Sequence, residues 1–233
     1  MTDLLDDLAF PDLDPDRPTA DQIHDALKSA ILSTALPPGC LISETETGQR
    51  FGASRTPVRE AFALLREDGL IVTRPSRGNF VSKLSEAAIR QAQFLREGLE
   101  LAVVTRLCET GIPPGILASV NRSLTVQTES VGKADNHRFQ RHDDRFHALL
   151  ARATGFPRAE ALVIREKAAL DRLRVLALST PDHKARLLAE HTEMRDAILA
   201  GDVARATEVT RDHLRSIFAT LSRVASENKE FFE

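Results

Sequence analysis

The chain has 233 residues, 42% hydrophobic and 28% charged, a balance that supports a buried core and excludes intrinsic disorder as the default. No apolar run approaches the length of a membrane span, and the acidic N-terminus matches neither a secretory signal nor a transit peptide, so cytoplasmic residence is the expectation. The net charge of −3 speaks against a uniformly basic surface, but residues 1–17 alone hold six Asp against one Arg, and residues 18–83 hold eight Lys/Arg against seven Asp/Glu. Cys40 and Cys108 offer no disulfide framework or CxxC zinc site, and the absence of Trp and Tyr leaves little platform for stacking single strands.

Residues 1–17 read as an acidic flexible tail with Pro11 and Pro15 as breaks. Thr19 is a candidate cap for a helix running to about Thr34, with Ile23, Ala26, Leu27, Ala30 and Ile31 at helical spacing. Pro37-Pro38-Gly39 breaks it. A short helix over Ser43–Phe51, the turn Gly52-Ala53, and a helix capped by Ser54 and ending before Gly69 follow. Leu70–Thr73 and Asn79–Val81 are β-prone runs joined by the turn Arg74–Gly78, which makes a hairpin. Beyond Lys83–Ser85 the pattern is helical throughout, with helices expected near 85–110, 114–130, 134–153, 157–178, 181–200 and 202–225. The breaks include Gly155-Phe156-Pro157 and the Thr180-Pro181 cap. The expected division is therefore an acidic tail (1–17), a helix-and-hairpin domain (18–83), an all-helical domain (84–226) and a C-terminal tail (227–233). The fold class is mainly α: a winged helix-turn-helix with a small hairpin wing, then an antiparallel helical bundle.

Two short helices and a hairpin form the winged helix-turn-helix plan, whose second helix enters the major groove N-terminus first. Arg55 and Arg59 lie four residues apart on one face of that helix, each with a guanidinium fork suited to guanine or phosphate. Ser54 and Thr56 add hydroxyls, and the helix N-terminus favours a phosphate. Val58, Ala61, Phe62 and Leu65 make the opposite, core-facing stripe. Arg74 and Arg77 flank the wing tip, and Gly78 permits close backbone approach to DNA. The stretch PPGCLISETETGQRFGASRTPVREAFALLREDGLIVTRPSRGNFV resembles the GntR family of regulators, in the SRTPVREA run, the Asp68-Gly69-Leu70 turn and the Arg77-Gly78 wing. It departs from the usual pattern at Thr47-Gly48, where the family commonly has Leu-Ala, and at Thr45, where some members carry a basic residue.

In the helical half, Asp143 and His147 share one helical face, and His191 and His213 fall inside two other helices. A carboxylate and three imidazoles on separate helices suit a divalent ion such as Zn or Ni, leaving room for water or a ligand oxygen. Residues 85–225 resemble the helical C-terminal (FCD) domain of the FadR-type branch of the same family. The resemblance lies in Asp143-Asp144-Arg145-Phe146-His147, in Glu190-His191 and in His213-Leu214. It implies that Asp143, His147, His191 and His213 bind the metal and that Arg96 grips a small carboxylate or sugar-acid effector. Arg172 and Arg174 are further anion-binding candidates, since a bidentate guanidinium suits a carboxylate. Surface ion pairing, for instance Arg96 with Glu100, is the competing role for such arginines, and His137, His142 and His183 read as surface residues. The expected function is a ligand-responsive regulator, acting as a homodimer on double-stranded operator DNA. The alternative is a metal-dependent enzyme on a small organic acid with an appended DNA-binding head, since the same donors can activate water.

Overall fold

The computed structural model describes residues 5, 8, 10–133, 136–168, 170–177 and 181–233. Most of residues 1–9 and Thr180 of the expected cap lie outside these. Two compact units emerge: residues 1–85 together with 228–233, and residues 86–227.

The first unit runs α1 (Thr19–Leu32), β1 (Leu41–Ile42), α2 (Glu44–Phe51), α3 (Arg55–Glu67), β2 (Ile71–Arg74) and β3 (Gly78–Val81). Ile23, Leu27 and Ile31 of α1 and Val58, Ala61, Phe62 and Leu65 of α3 are all buried, so the two apolar stripes close one core. Thr19 opens α1 without capping it. Pro18 holds the cap position, and the Gln22 side chain instead clips the preceding turn, bonding the Asp14 N–H and carbonyl at 2.8 Å each. Ser43 caps α2 through its hydroxyl, which accepts from the Glu46 N–H, and Gly52 ends that helix at φ 60°. The sheet is antiparallel in the order β1-β3-β2, with Leu41 opposite Phe80 and Val72 opposite Phe80 on the other side. The third strand, β1, escapes sequence reading because two residues carry no period.

Two segments read as tails pack on this unit. Leu5 is buried in its core, Phe10 packs on Phe51 at 4.8 Å, and the Arg50 guanidinium lies over Phe10 while donating to the Leu8 carbonyl at 2.7 Å. The apolar residues spaced among the aspartates supply that anchorage. At the other end, the Leu84 N–H donates to the Phe231 carbonyl, the Glu233 N–H donates to the Leu84 carbonyl, and Phe232 is buried.

The second unit holds α4 (Glu86–Thr110), α5 (Pro114–Ser130), α6 (Asn136–Ala153), α7 (Pro157–Ala168), α8 (Asp171–Ala177), α9 (Pro181–Ala200), α10 (Val203–Arg215) and α11 (Ile217–Glu227). Val104, Leu107, Val120, Phe146, Leu150, Val163, Met194, Ile198 and Ala206 form its core. Two expected single helices are each divided, 157–178 and 202–225. The second division has a visible cause: the Ser216 hydroxyl donates to the His213 carbonyl, and the Gln93 amide donates to the Leu214 carbonyl at 2.7 Å. Side chains thus claim acceptors that a continuous helix would use itself.

Candidate metal centre and nucleic-acid interface

On the first unit, α3 presents Arg55, Thr56 and Arg59 at its exposed N-terminal turn, with Ser54 at the cap position but making no side-chain cap bond. Its hydroxyl is therefore not spent on the helix. Arg59 leans on Glu44 at 3.3 Å with its side chain 68% exposed, a contact too screened to hold it from another anion. In the wing, Arg74 lies over the Phe80 ring at 4.8 Å, and Arg77 is exposed. Gly78 is at φ 106°, and a Cβ there would sit 2.9 Å from Leu41 Cδ1. The left-handed backbone conformation alone favours glycine, a reason independent of DNA, since the exposed Leu41 side chain could swing aside. Gly48 in α2 is also closely approached: a Cβ would sit 3.1 Å from the Ala53 carbonyl oxygen.

On the second unit, α6 carries Asp143 and His147, α9 carries His191 and α10 carries His213, and one ligand atom from each lies within 4.8 Å of every other. All four residues are buried. The outer face of each imidazole is engaged. His147 Nδ1 donates to Glu100 Oε2 at 2.5 Å, His191 Nδ1 to Gln127 Oε1 at 2.8 Å, and His213 Nδ1 to Glu190 Oε2 at 2.8 Å. Carboxylate oxygens only accept, and the Gln127 amide nitrogen is committed to the His142 carbonyl at 3.2 Å, so each Nδ1 is assigned the proton. That leaves three Nε2 lone pairs turned inward. His191 and His213 Nε2 stand 3.3 Å apart, Asp143 Oδ1 is 3.5 Å from His191 Nε2, and His147 Nε2 is buried with no hydrogen-bond partner among the described residues. Burial, reinforced by charge on the neighbouring imidazoles, holds His191 and His213 well below the ordinary histidine range, so they are neutral donors.

The other oxygen of Asp143 faces cations. Lys167 and Arg174 both bond Asp143 Oδ2, and both also pair with Asp144, Arg174 at 2.6 Å. Burial alone would raise the Asp143 carboxyl, but Arg174 and then Lys167 outweigh it and hold it well below its usual range. A cavity of about 40 Å³ beside this cluster is lined by Arg96, Asp143, Arg174, His183 and His213, among others. Arg96 also pairs with Glu100 at 2.5 Å, so pocket lining and ion pairing are both its roles. Arg172 is outside that lining. His183, read as a surface residue, is part of it, and the His137 side chain lies outside the described residues. Sequence reasoning missed Gln127 and Lys167, which carry no local signal; Glu100 was visible only as a partner four residues after Arg96.

A family model described as the FCD domain matches residues 91–216, and one described as bacterial regulatory proteins, gntR family, matches residues 19–81. The chain belongs to the GntR family. It is 35% identical to an HTH-type transcriptional regulator in an unstable DNA locus of Streptomyces ambofaciens, over 90% of this chain and 88% of the relative. It is 31% identical to the HTH-type transcriptional repressor RspR of Escherichia coli, over 94% of this chain and 96% of that one. A solved GntR transcriptional regulator from Rhodococcus sp. RHA1 superposes with a TM-score of 0.72 at 25% identity, over 87% of this chain and 97% of its own. This GntR-family chain is thus a DNA-binding transcriptional regulator, and the enzyme alternative falls with that assignment.

Proposed function

We propose that this GntR-family chain is a homodimeric repressor whose helical unit holds a divalent metal and responds to a small carboxylate-bearing metabolite. The observation that carries the reading is the set of three inward Nε2 lone pairs, each fixed by an outer acceptor on Nδ1, facing Asp143 Oδ1. Lone pairs brought this close in a buried site repel unless a cation lies among them, and three imidazoles with one carboxylate suit Zn or Ni. When bound, the ion would supply a Lewis-acidic anchor for an anion. The chain itself supplies Arg96 and Arg174 on the adjacent cavity, where a guanidinium can pair a carboxylate bidentately. Anion entry would shift the balance of the Asp143–Arg174 pairing that joins α6 to α8, biasing the helical unit between two arrangements. The chain connections around Lys83–Ser85 would carry that change to the head.

Ser54, Arg55, Thr56, Arg59, Arg74, Arg77 and Gly78 form the proposed DNA-contacting set, and the repressor named among the relatives supports the sign of regulation. A second copy of the chain is the proposed occupant of a groove of about 920 Å³ lined by Phe94, Leu95, Leu101, Leu162 and Phe218. Phe94 is 77% exposed there, an unusual cost for an isolated subunit, and the Glu97–Arg215 pair at its edge gives a symmetric copy charges to match. Metal analysis and thermal shift on the parent, His191→Ala and His213→Ala proteins test the centre. Loss of bound metal and of metal-induced stabilisation in both variants is expected. Variants that bind metal as tightly as the parent refute it.

A further inference from the structure

We infer that Glu100 is the positioning residue that couples the Arg96 anion clamp to the metal ligand His147; this rests on the metal reading above. Arg96 and Glu100 lie one turn apart on α4, each 4% exposed. Arg96 Nε donates to Glu100 Oε1 at 2.5 Å, and His147 Nδ1 donates to Glu100 Oε2 at 2.5 Å. One carboxylate therefore serves two donors, one oxygen each, and its charge is divided between them. Arg96 lines the cavity, and Glu100 stands behind it. The other two imidazoles rest on Gln127 and Glu190, and the arginine nearest Glu190, Arg186 at 3.9 Å, is outside the cavity lining.

The consequence is a signed coupling. An anion that draws on Arg96 leaves more of the Glu100 charge on the His147 N–H, and the Nε2 opposite becomes a stronger donor to a metal. By linkage, a metal on Nε2 strengthens the Nδ1–H as a donor, draws Glu100 toward His147 and frees the guanidinium for an anion. Metal and carboxylate thus favour each other through the protein as well as by direct contact. Glutamine cannot do this. Its single carbonyl can accept from Arg96 or from His147, and its NH2 then faces the other donor, so Glu100→Gln either breaks the Arg96 contact or forces His147 to carry its proton on Nε2.

The test uses the full chain stripped of metal, with long-range nitrogen–proton spectra of the imidazoles to read each tautomer and Co(II) titration to read affinity. The parent is expected to show His147 protonated on Nδ1. Glu100→Gln is expected to populate the Nε2–H tautomer and to lose about 10–100-fold in Co(II) affinity. Arg96→Gln, which releases Glu100 to His147, is expected to tighten Co(II) several-fold, and that gain is expected to vanish in the double variant, roughly the behaviour of a coupled pair. An unchanged tautomer with affinity within about threefold of the parent in Glu100→Gln overturns the inference. So does an Arg96→Gln effect of equal size in both backgrounds, which would be the guanidinium acting by its own charge. If Glu100→Gln does not fold, an Nε2–H tautomer at His147 in the parent, or weaker Co(II) binding by Arg96→Gln, overturns it equally. Parent-like Co(II) affinity in His147→Ala is a different failure, that of the metal reading itself.

Discussion

Replacing Arg174 by methionine removes a cation from a buried acid cluster while keeping much of the side-chain volume. Arg174 is 9% exposed and pairs with Asp143, with Asp144 at 2.6 Å and with Asp171 at 3.4 Å. Without it, Lys167 is the one cation left pairing with Asp143 and Asp144 among the described residues. Removing one partner of a buried pair costs about 3–5 kcal/mol, a large share of the roughly 5–15 kcal/mol that holds a typical native state together. For a helical unit of this size the loss corresponds to a fall in Tm of about 10–15 °C. The pH dependence carries the sign. Burial already raises Asp171 to about 6, against the pull of Arg174, and losing that pull lifts it further and lifts Asp143 and Asp144 with it. A carboxyl whose folded value lies above its unfolded one costs stability in full above the folded value and recovers it as the pH falls toward the unfolded one. The variant should therefore lag the parent most near pH 7.5 and close much of the gap near about pH 5.5. Thermal unfolding of chelator-treated proteins at both pH values decides it. A gap below about 1 kcal/mol near neutrality, or one unchanged by acid, refutes the reasoning.

Arg55→Ala combined with Arg59→Ala should weaken operator binding by about 1–3 kcal/mol per base-contacting arginine at fixed salt, measured by titration of labelled operator; undiminished affinity removes them from the interface. Thr47 is fully buried and its hydroxyl has no partner among the described residues. Thr47→Val should therefore stabilise the head by about 1 kcal/mol in denaturant titration, and a loss of stability would mean that the hydroxyl is satisfied in solution. Phe94→Glu should leave the helical content intact while shifting the chain toward monomer in analytical ultracentrifugation; an unshifted profile places the subunit contact elsewhere.

The head was legible because its signals are local. Ser54–Arg59, the stripe from Val58 to Leu65 and the Arg74–Gly78 turn each lie within a few residues and follow a period. Asp143 and His147 were legible for the same reason, four apart on one helix. What surrounds them was not. Gln127, Lys167 and Glu100 gain their roles only when α5, α7 and α4 bring them against α6, and no spacing within one helix encodes that meeting. The division at Ser216 was hidden likewise, because half of its cause is Gln93, on a helix far away in sequence. The anchoring of the N-terminal segment was outweighed by composition: its aspartates dominate the residue count, while Leu5 and Phe10 supply the contacts.

The return of residues 228–233 to Leu84 changes the topology of the whole molecule. The head is assembled from two stretches of chain, so the helical unit is an insertion within it rather than an appendage behind it. Two peptide joints, at 85–86 and 227–228, connect the units in place of one. A head truncated at Ser85 loses the backbone partner of Leu84 and the cover of Phe232. Under the proposed function, a change among the buried carboxylates and imidazoles would have two peptide connections to the head available rather than one.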